Sequence, residues 1–310
     1  MTRDDTELRP ARSVMRERFR DPVVDGRPAG GSPARWRRRV QRLLVSNGER
    51  QEAELERLLG SQPSVSRANV VEVISPKGGV GKTTSAFVVG GLVADRLRLR
   101  VIAVDANPGF TTLASLAPDR LRCGRSLADL LTDIEQIETA AQLRSYVSAF
   151  PSGLHLLGAS ADADVMARLG PDAYGELVAL LCTFYDVVLL DFGNAIAGRL
   201  AQFALGLADQ VVLVATPESV SGSVVLTALQ LLDHERTIVA ANKFYARKAA
   251  DLRELERRLR ERRLHRSVAI PYDDQLAAML DTATYQLGAL ERTSRVAIKR
   301  LALAVAEQFV

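Results

Sequence analysis

Cysteine is almost missing from this chain. Its two residues in 310, Cys123 and Cys182, have no CxxC spacing and no histidine cluster beside them. That excludes a disulfide framework and leaves no basis for a zinc or dithiol redox site. Long apolar runs are missing too: none approaches the roughly 18 residues that span a bilayer, and the longest stretch, Leu177 to Leu190, is interrupted by Asp186. The opening residues Met1-Thr2-Arg3-Asp4-Asp5-Thr6-Glu7 lack the apolar core of a secretory leader. No internal repeat of solenoid period is present. What remains is an ordinary globular composition, 47% hydrophobic and 25% charged, long enough for one sizeable core and an additional segment. The expectation is a cytoplasmic α/β protein.

The net charge of +4 is unevenly placed. Residues 1–66 hold fourteen arginines against ten acids, and the remainder balances. Up to about Pro33 the sequence is rich in Arg, Asp and Pro and poor in aliphatics, ending in Pro28-Ala29-Gly30-Gly31-Ser32-Pro33, which reads as disordered. Ala34 to Val45 then puts Trp36, Val40, Leu43 and Leu44 at helical spacing among Arg35, Arg37, Arg38, Arg39 and Arg42, a short basic amphipathic helix. A second helix is predicted over Glu49 to Leu59, stopped by Gly60-Ser61-Gln62-Pro63. Residues 1–66 are therefore expected to be an Arg-rich, largely disordered extension carrying short helices, and residues 67–310 the main domain.

From Asn69 onward apolar β runs alternate with helical patterns, the signature of a mostly parallel sheet with helices on both faces. Strands are expected at Val70–Ser75, Arg100–Asp105, Leu154–Leu157, Val187–Asp191, Gln210–Ala215, Thr237–Asn242 and Ser267–Ile270. Helices are expected near Thr83–Leu97, Ser126–Thr132, Tyr174–Thr183, Ala197–Leu207, Ser219–Asp233, Ala246–Leu264, Gln275–Thr282 and Arg292–Gln308. Ligands of such sheets bind at the carboxyl ends of the strands.

One motif sits at such an end. Lys77-Gly78-Gly79-Val80-Gly81-Lys82-Thr83-Thr84 follows the run Val70-Val71-Glu72-Val73-Ile74 and precedes an apolar helix pattern. Glycines let a polyphosphate approach successive backbone N–H groups, Lys82 supplies a point charge to the phosphates, Thr83 offers a hydroxyl to Mg²⁺, and the helix start adds its dipole. The bland alternative is a glycine-rich turn without a ligand, which the flanking strand and helix make improbable. Val187-Val188-Leu189-Leu190-Asp191 is an apolar strand ending in a carboxylate suited to Mg²⁺. The triplet Asp191-Phe192-Gly193 also matches a kinase motif, but no HRD catalytic loop precedes it.

The box KGGVGKTT resembles the deviant Walker A box of the ParA/MinD superfamily of dimeric P-loop ATPases, and the resemblance extends over about Asn69 to Val310. It implies ATP and Mg²⁺ as cofactors and an ATP-dependent homodimer in which Lys77 crosses to the partner's phosphates while Lys82 acts in its own site. By the same resemblance Gly78, Gly79, Val80, Gly81, Lys82, Thr83 and Thr84 hold the phosphates. Thr83 and Asp191 hold the metal, Gly193 offers its N–H to the γ-phosphate, and Asn242 reads adenine. The family's usual D-x-D-P here reads Asp105-Ala106-Asn107-Pro108, with Asp105 retained near the phosphates and Asn107 replacing the carboxylate that helps place the attacking water. An amide accepts no proton, so slow hydrolysis is expected. The alternatives are that Asn107 caps a turn and that Asn242 is a strand-terminal turn residue.

Two surfaces carry open readings. Between Arg247 and Arg266 nine basic residues stand against four acids, which reads either as a solvated helix with i,i+4 ion pairs or as a non-specific DNA surface. The Trp36 helix reads as an anchor to an anionic membrane surface, a docking peptide for a protein partner, or a helix packed on its own domain. The function expected is a MinD/ParA-like ATP-dependent switch that positions a cellular cargo or machine, with type VII secretion one setting and recruitment to the nucleoid or the inner membrane surface implied. The alternatives are a DNA-partition ATPase and an ATP-gated scaffold with little hydrolysis.

Overall fold

A computed structural model describes residues 51–61, 65–106, 113, 117–192, 198–216, 223–245, 249–282 and 285–309. Among these residues eight strands form one sheet: β1 (Asn69–Ile74), β2 (Val101–Asp105), β3 (Ser148–Ala149), β4 (Leu154–Leu157), β5 (Val187–Asp191), β6 (Gln210–Ala215), β7 (Thr237–Phe244) and β8 (Ser267–Pro271). Their spatial order is β3-β4-β2-β5-β1-β6-β7-β8, parallel throughout except for β3 against β4. The central strands are apolar nearly end to end because both faces are covered. β1 lies between β5 and β6 and sits where the chain's winding changes direction, so its carboxyl end opens onto a crevice.

Among the described residues eleven α-helices cover the two faces: α1 (Gln51–Leu59), α2 (Lys82–Leu97), α3 (Leu127–Thr132), α4 (Ala140–Arg144), α5 (Ala163–Arg168), α6 (Pro171–Phe184), α7 (Arg199–Leu207), α8 (Ser223–Gln230), α9 (Ala249–Glu261), α10 (Asp274–Asp281) and α11 (Arg292–Ala306). One apolar layer joins Phe87, Val88 and Leu92 of α2 to Leu301 and Val305 of α11 and to the odd-numbered side of β1. The other joins Tyr174, Leu177 and Leu181 of α6 to Leu255 and Leu259 of α9 and the opposite sheet face. Gly90 lets α2 lie close on the sheet, since a Cβ there would come within 2.8 Å of the Leu189 side chain.

The seven expected strands are present, with β7 running two residues further than expected. β3, α4 and α5 were not expected from periodicity. They are short and polar, and capping holds two of them: Thr139 and Gln142 form a capping box on α4, and Asp162 caps α5. Within the described residues the basic helix runs Ala249–Glu261, and two residues beyond its end Arg263 takes a φ of 58°. The expected 34–45 helix with Trp36 lies outside the described residues. α1 is an integral part of the packing: Leu55, Leu58 and Leu59 are buried, and Glu52 pairs with Arg292, Arg295 and Lys299 of α11.

Candidate functional site

The site forms where β1, β2, β5 and β7 end. Val73 and Asp105 both stand level with Asp191 in the sheet register, so one row across three strands places two carboxylates beside the start of the loop after β1. That loop turns twice through left-handed backbone, at Gly79 (φ 73°) and Gly81 (φ 91°), and Gly81 is the N-cap of α2 without any side-chain cap. An L-residue in this conformation costs roughly 1–2 kcal/mol. At Gly81 there is also no room, because a Cβ would fall 2.2 Å from Asn242 Nδ2.

Lys82 and Thr83 open α2 side by side and converge on one carboxylate. Lys82 Nζ donates to Asp191 Oδ1 at 2.5 Å, and Thr83 Oγ1 donates to Asp191 Oδ2 at 2.7 Å. Lys82 and Asp191 are both buried, and so this ion pair is held in a low-dielectric setting where charge interactions are stronger than at the surface. Lys77, in contrast, is exposed, and its carbonyl accepts from Ser75 Oγ at 2.9 Å. Gly78 and Gly79 are exposed beside it, Val80 is buried, and Thr84 sits half-buried in the first turn of α2.

Asp105 is fully buried at the end of β2. Next to it the Tyr174 hydroxyl donates to the Ala106 carbonyl at 3.2 Å, and burial, with Asp105 nearby, pushes that phenol well above its ordinary range. Tyr174 therefore acts as a neutral hydrogen-bond donor and ties α6 to the chain just beyond Asp105. Asn107 and Gly193 lie outside the described residues.

From the other side β7 reaches the loop. Asn242 Nδ2 donates to the Val80 carbonyl at 2.8 Å, and Lys243 Nζ donates to the Gly79 carbonyl at 2.8 Å. The sequence pointed to Asn242 but passed over Lys243, because strand alternation sends neighbouring side chains to opposite faces. Further along, Tyr245 and Tyr272 stack with ring centroids 4.9 Å apart at the ends of β7 and β8.

The residues present fit a nucleotide and a divalent cation. Thr83 and Asp191 bring a hydroxyl and a carboxylate into contact, the hard oxygen pair Mg²⁺ takes alongside water. The left-handed turns at Gly79 and Gly81 give the loop the backbone of an anion-binding nest, and at Gly81 a Cβ would collide with the Asn242 side chain packed against the loop.

On α9, Arg257 and Arg258 pair with Glu254, Arg257 also pairs with Glu261, and Arg260 lies 3.9 Å from Glu256. Arg266 turns inward to the Ala304 carbonyl and Glu307 and is largely buried, so it belongs to no outer surface. Arg247 and Lys248 lie outside the described residues.

A glycine-rich loop between a central parallel strand and a helix, with its lysine and threonine meeting the carboxylate that ends the neighbouring strand, defines a P-loop nucleotide-binding protein. The family model described as "AAA domain" matches residues 68–240, and the chain belongs to that family. It is similar to the ESX-1 secretion-associated protein EspI of Mycobacterium tuberculosis, at 28% identity over 188 residues, covering 58% of this chain and 27% of EspI. The chain thus spans about a quarter of that relative. Among solved structures, a ParA family ATPase from Chlorobium tepidum superposes with a TM-score of 0.63 at 22% identity, over 76% of this chain and 98% of the other. Cobyrinic acid a,c-diamide synthase from Mycobacterium smegmatis, with bound ATP analog and magnesium, superposes with a TM-score of 0.55 at 20% identity, over 76% and 92% of the two chains. Among the described residues no helix is long and apolar enough to cross a membrane.

Proposed function

We propose that this protein is an ATP-dependent dimerisation switch that hydrolyses ATP slowly and positions a cellular machine. The observation that carries the reading is the meeting of Lys82 and Thr83 on Asp191, with Lys77 exposed on the rim of the same loop. Lys82 and the loop amides bind phosphate oxygens, and Thr83 and Asp191 hold the metal. Mg²⁺, when bound, neutralises charge on the phosphates. In this reading the exposed Lys77 reaches a second copy's nucleotide, which makes each site incomplete without the other. Catalysis in such a site is mostly positioning and charge neutralisation, so turnover depends on who places the attacking water. Asp105 stands at the end of β2, and the amide of Asn107 replaces a carboxylate there, which supports slow turnover. Asn242, at the carboxyl end of β7, is the residue assigned to the base.

The similarity to EspI supports a secretion-associated machine as the cargo. The internal pairing of the α9 arginines supports the solvated-helix reading of that segment over a DNA surface. The test is binding of ATP with Mg²⁺ to the parent and to Lys82→Ala. The parent is expected to bind, and the variant to lose at least about tenfold in affinity, the scale of one buried charge-assisted contact. Equal affinity in the two would overturn the reading.

A further inference from the structure

Asn242 and Lys243 are neighbours in one strand, yet both side chains reach the phosphate loop. A regular strand forbids this, because successive side chains point to opposite faces. Two local features make it possible here. The pairing of β7 with β8 slips between Ala241 and Phe244, and Lys243 itself lies in left-handed backbone at φ 55°. Lysine has no local side-chain bond that favours this region, as Asn or Asp has, so the surrounding structure must enforce it, and non-glycine residues held this way concentrate at functional positions.

The acceptors explain what the bulge does. In a trans peptide the carbonyl of one residue and the N–H of the next point in opposite directions. The Gly79 carbonyl shares its peptide with the Val80 N–H, and the Val80 carbonyl shares its peptide with the Gly81 N–H. With both carbonyls held by donors from β7, the amides of Val80 and Gly81 are turned away from β7 and into the concave side of the loop. We propose that the β7 bulge is a two-point clamp that presets the loop's N–H groups for phosphate, and that Lys243 is a positioning residue acting through the Gly79 carbonyl. Lys243 spends its charge on the loop and does not need to touch the ligand. This inference rests on the nucleotide-binding reading above.

The test uses the full chain with Lys243→Met, Lys243→Arg and Lys243→Gly. Two readouts are taken: hydrogen exchange of the loop peptide without nucleotide, and affinity for ATP with Mg²⁺. In Lys243→Met the loop amides are expected to exchange faster and affinity to fall about three- to tenfold, the scale of one exposed charge-assisted hydrogen bond. Lys243→Arg restores both readouts to within about twofold, since it keeps a cationic donor. Lys243→Gly relieves the backbone and melts no lower than the parent, yet it binds ATP as weakly as Lys243→Met. A purely structural residue would not separate melting from affinity in this way. Unchanged loop exchange in Lys243→Met overturns the clamp. If the parent itself fails to bind ATP, the nucleotide reading falls while the exchange arm still decides the clamp.

Discussion

Glu72 stands in the middle of β1, fully buried, with neither carboxylate oxygen hydrogen-bonded. Burial pushes its carboxyl up to about 8. The folded protein therefore holds this group protonated at neutral pH, while in the unfolded chain it ionises near its ordinary value of 4.5. Because the folded value is the higher one, Glu72 withdraws no stability below about pH 4.5, and stability falls as pH rises toward 8. The loss by pH 8 is on the order of a few kcal/mol, at about 1.4 kcal/mol per pH unit of separation. Glu72→Met keeps the shape and removes the titration. Urea unfolding at pH 5.5 and 8 should show the parent losing more stability than the variant over that interval, and equal losses would mean that the carboxyl is solvated in the fold. At the same scale, Gly81→Ala combines a positive φ with a Cβ 2.2 Å from Asn242 Nδ2. Its affinity for ATP with Mg²⁺ should fall by more than about tenfold, as the strain and the displaced amide together exceed 1.4 kcal/mol. Retained affinity would show that the loop can rearrange at no cost.

Among the elements, α1 is the one whose role was least visible in the sequence. Its Leu55, Leu58 and Leu59 enter the core against α2 and α11, and Glu52 and Glu56 bracket the buried ammonium of Lys299. Leu58→Ala should cost about 2–5 kcal/mol, the usual range for a buried leucine, read as a lower denaturation midpoint. A chain begun at residue 62 would expose the apolar seat of α1 and leave Lys299 without its acids, and it should melt well below the parent; an unchanged melting temperature would make the packing of α1 incidental. Sequence reasoning placed this helix with the Arg-rich extension because its neighbours are charged, and a long-range partner such as Lys299 leaves no local mark. The strands were legible because a doubly covered parallel sheet must be apolar along its length, and the phosphate loop because its glycines, lysine and threonine each answer a separate chemical need. Short polar elements such as β3, α4 and α5 carry too few apolar positions to show a period, although Thr139 and Gln142 do spell a capping box. Glu72, a lone acid inside an apolar run, was legible and passed over. The β7 bulge was not legible, because nothing in Asn242-Lys243-Phe244 departs from ordinary strand composition.

For the molecule as a whole, the account makes each nucleotide site half of a two-chain arrangement. Lys82 and Asp191 lie together and buried with Thr83 half-buried beside them, whereas Lys77, a few residues away, is exposed. A cation held at the rim contributes little to its own site and is available to a facing one. Dimerisation should therefore depend on ATP and on Lys77, while ATP binding by the single chain should depend on Lys82 and much less on Lys77. The most direct measurement is the mass of the full-length protein in solution by light scattering, with ATP and Mg²⁺ and with ADP, for the parent and for Lys77→Ala. The account predicts a dimer for the parent with ATP alone, and a monomer for Lys77→Ala in both nucleotides despite retained ATP binding. A Lys77→Ala chain that dimerises with ATP as well as the parent would contradict it.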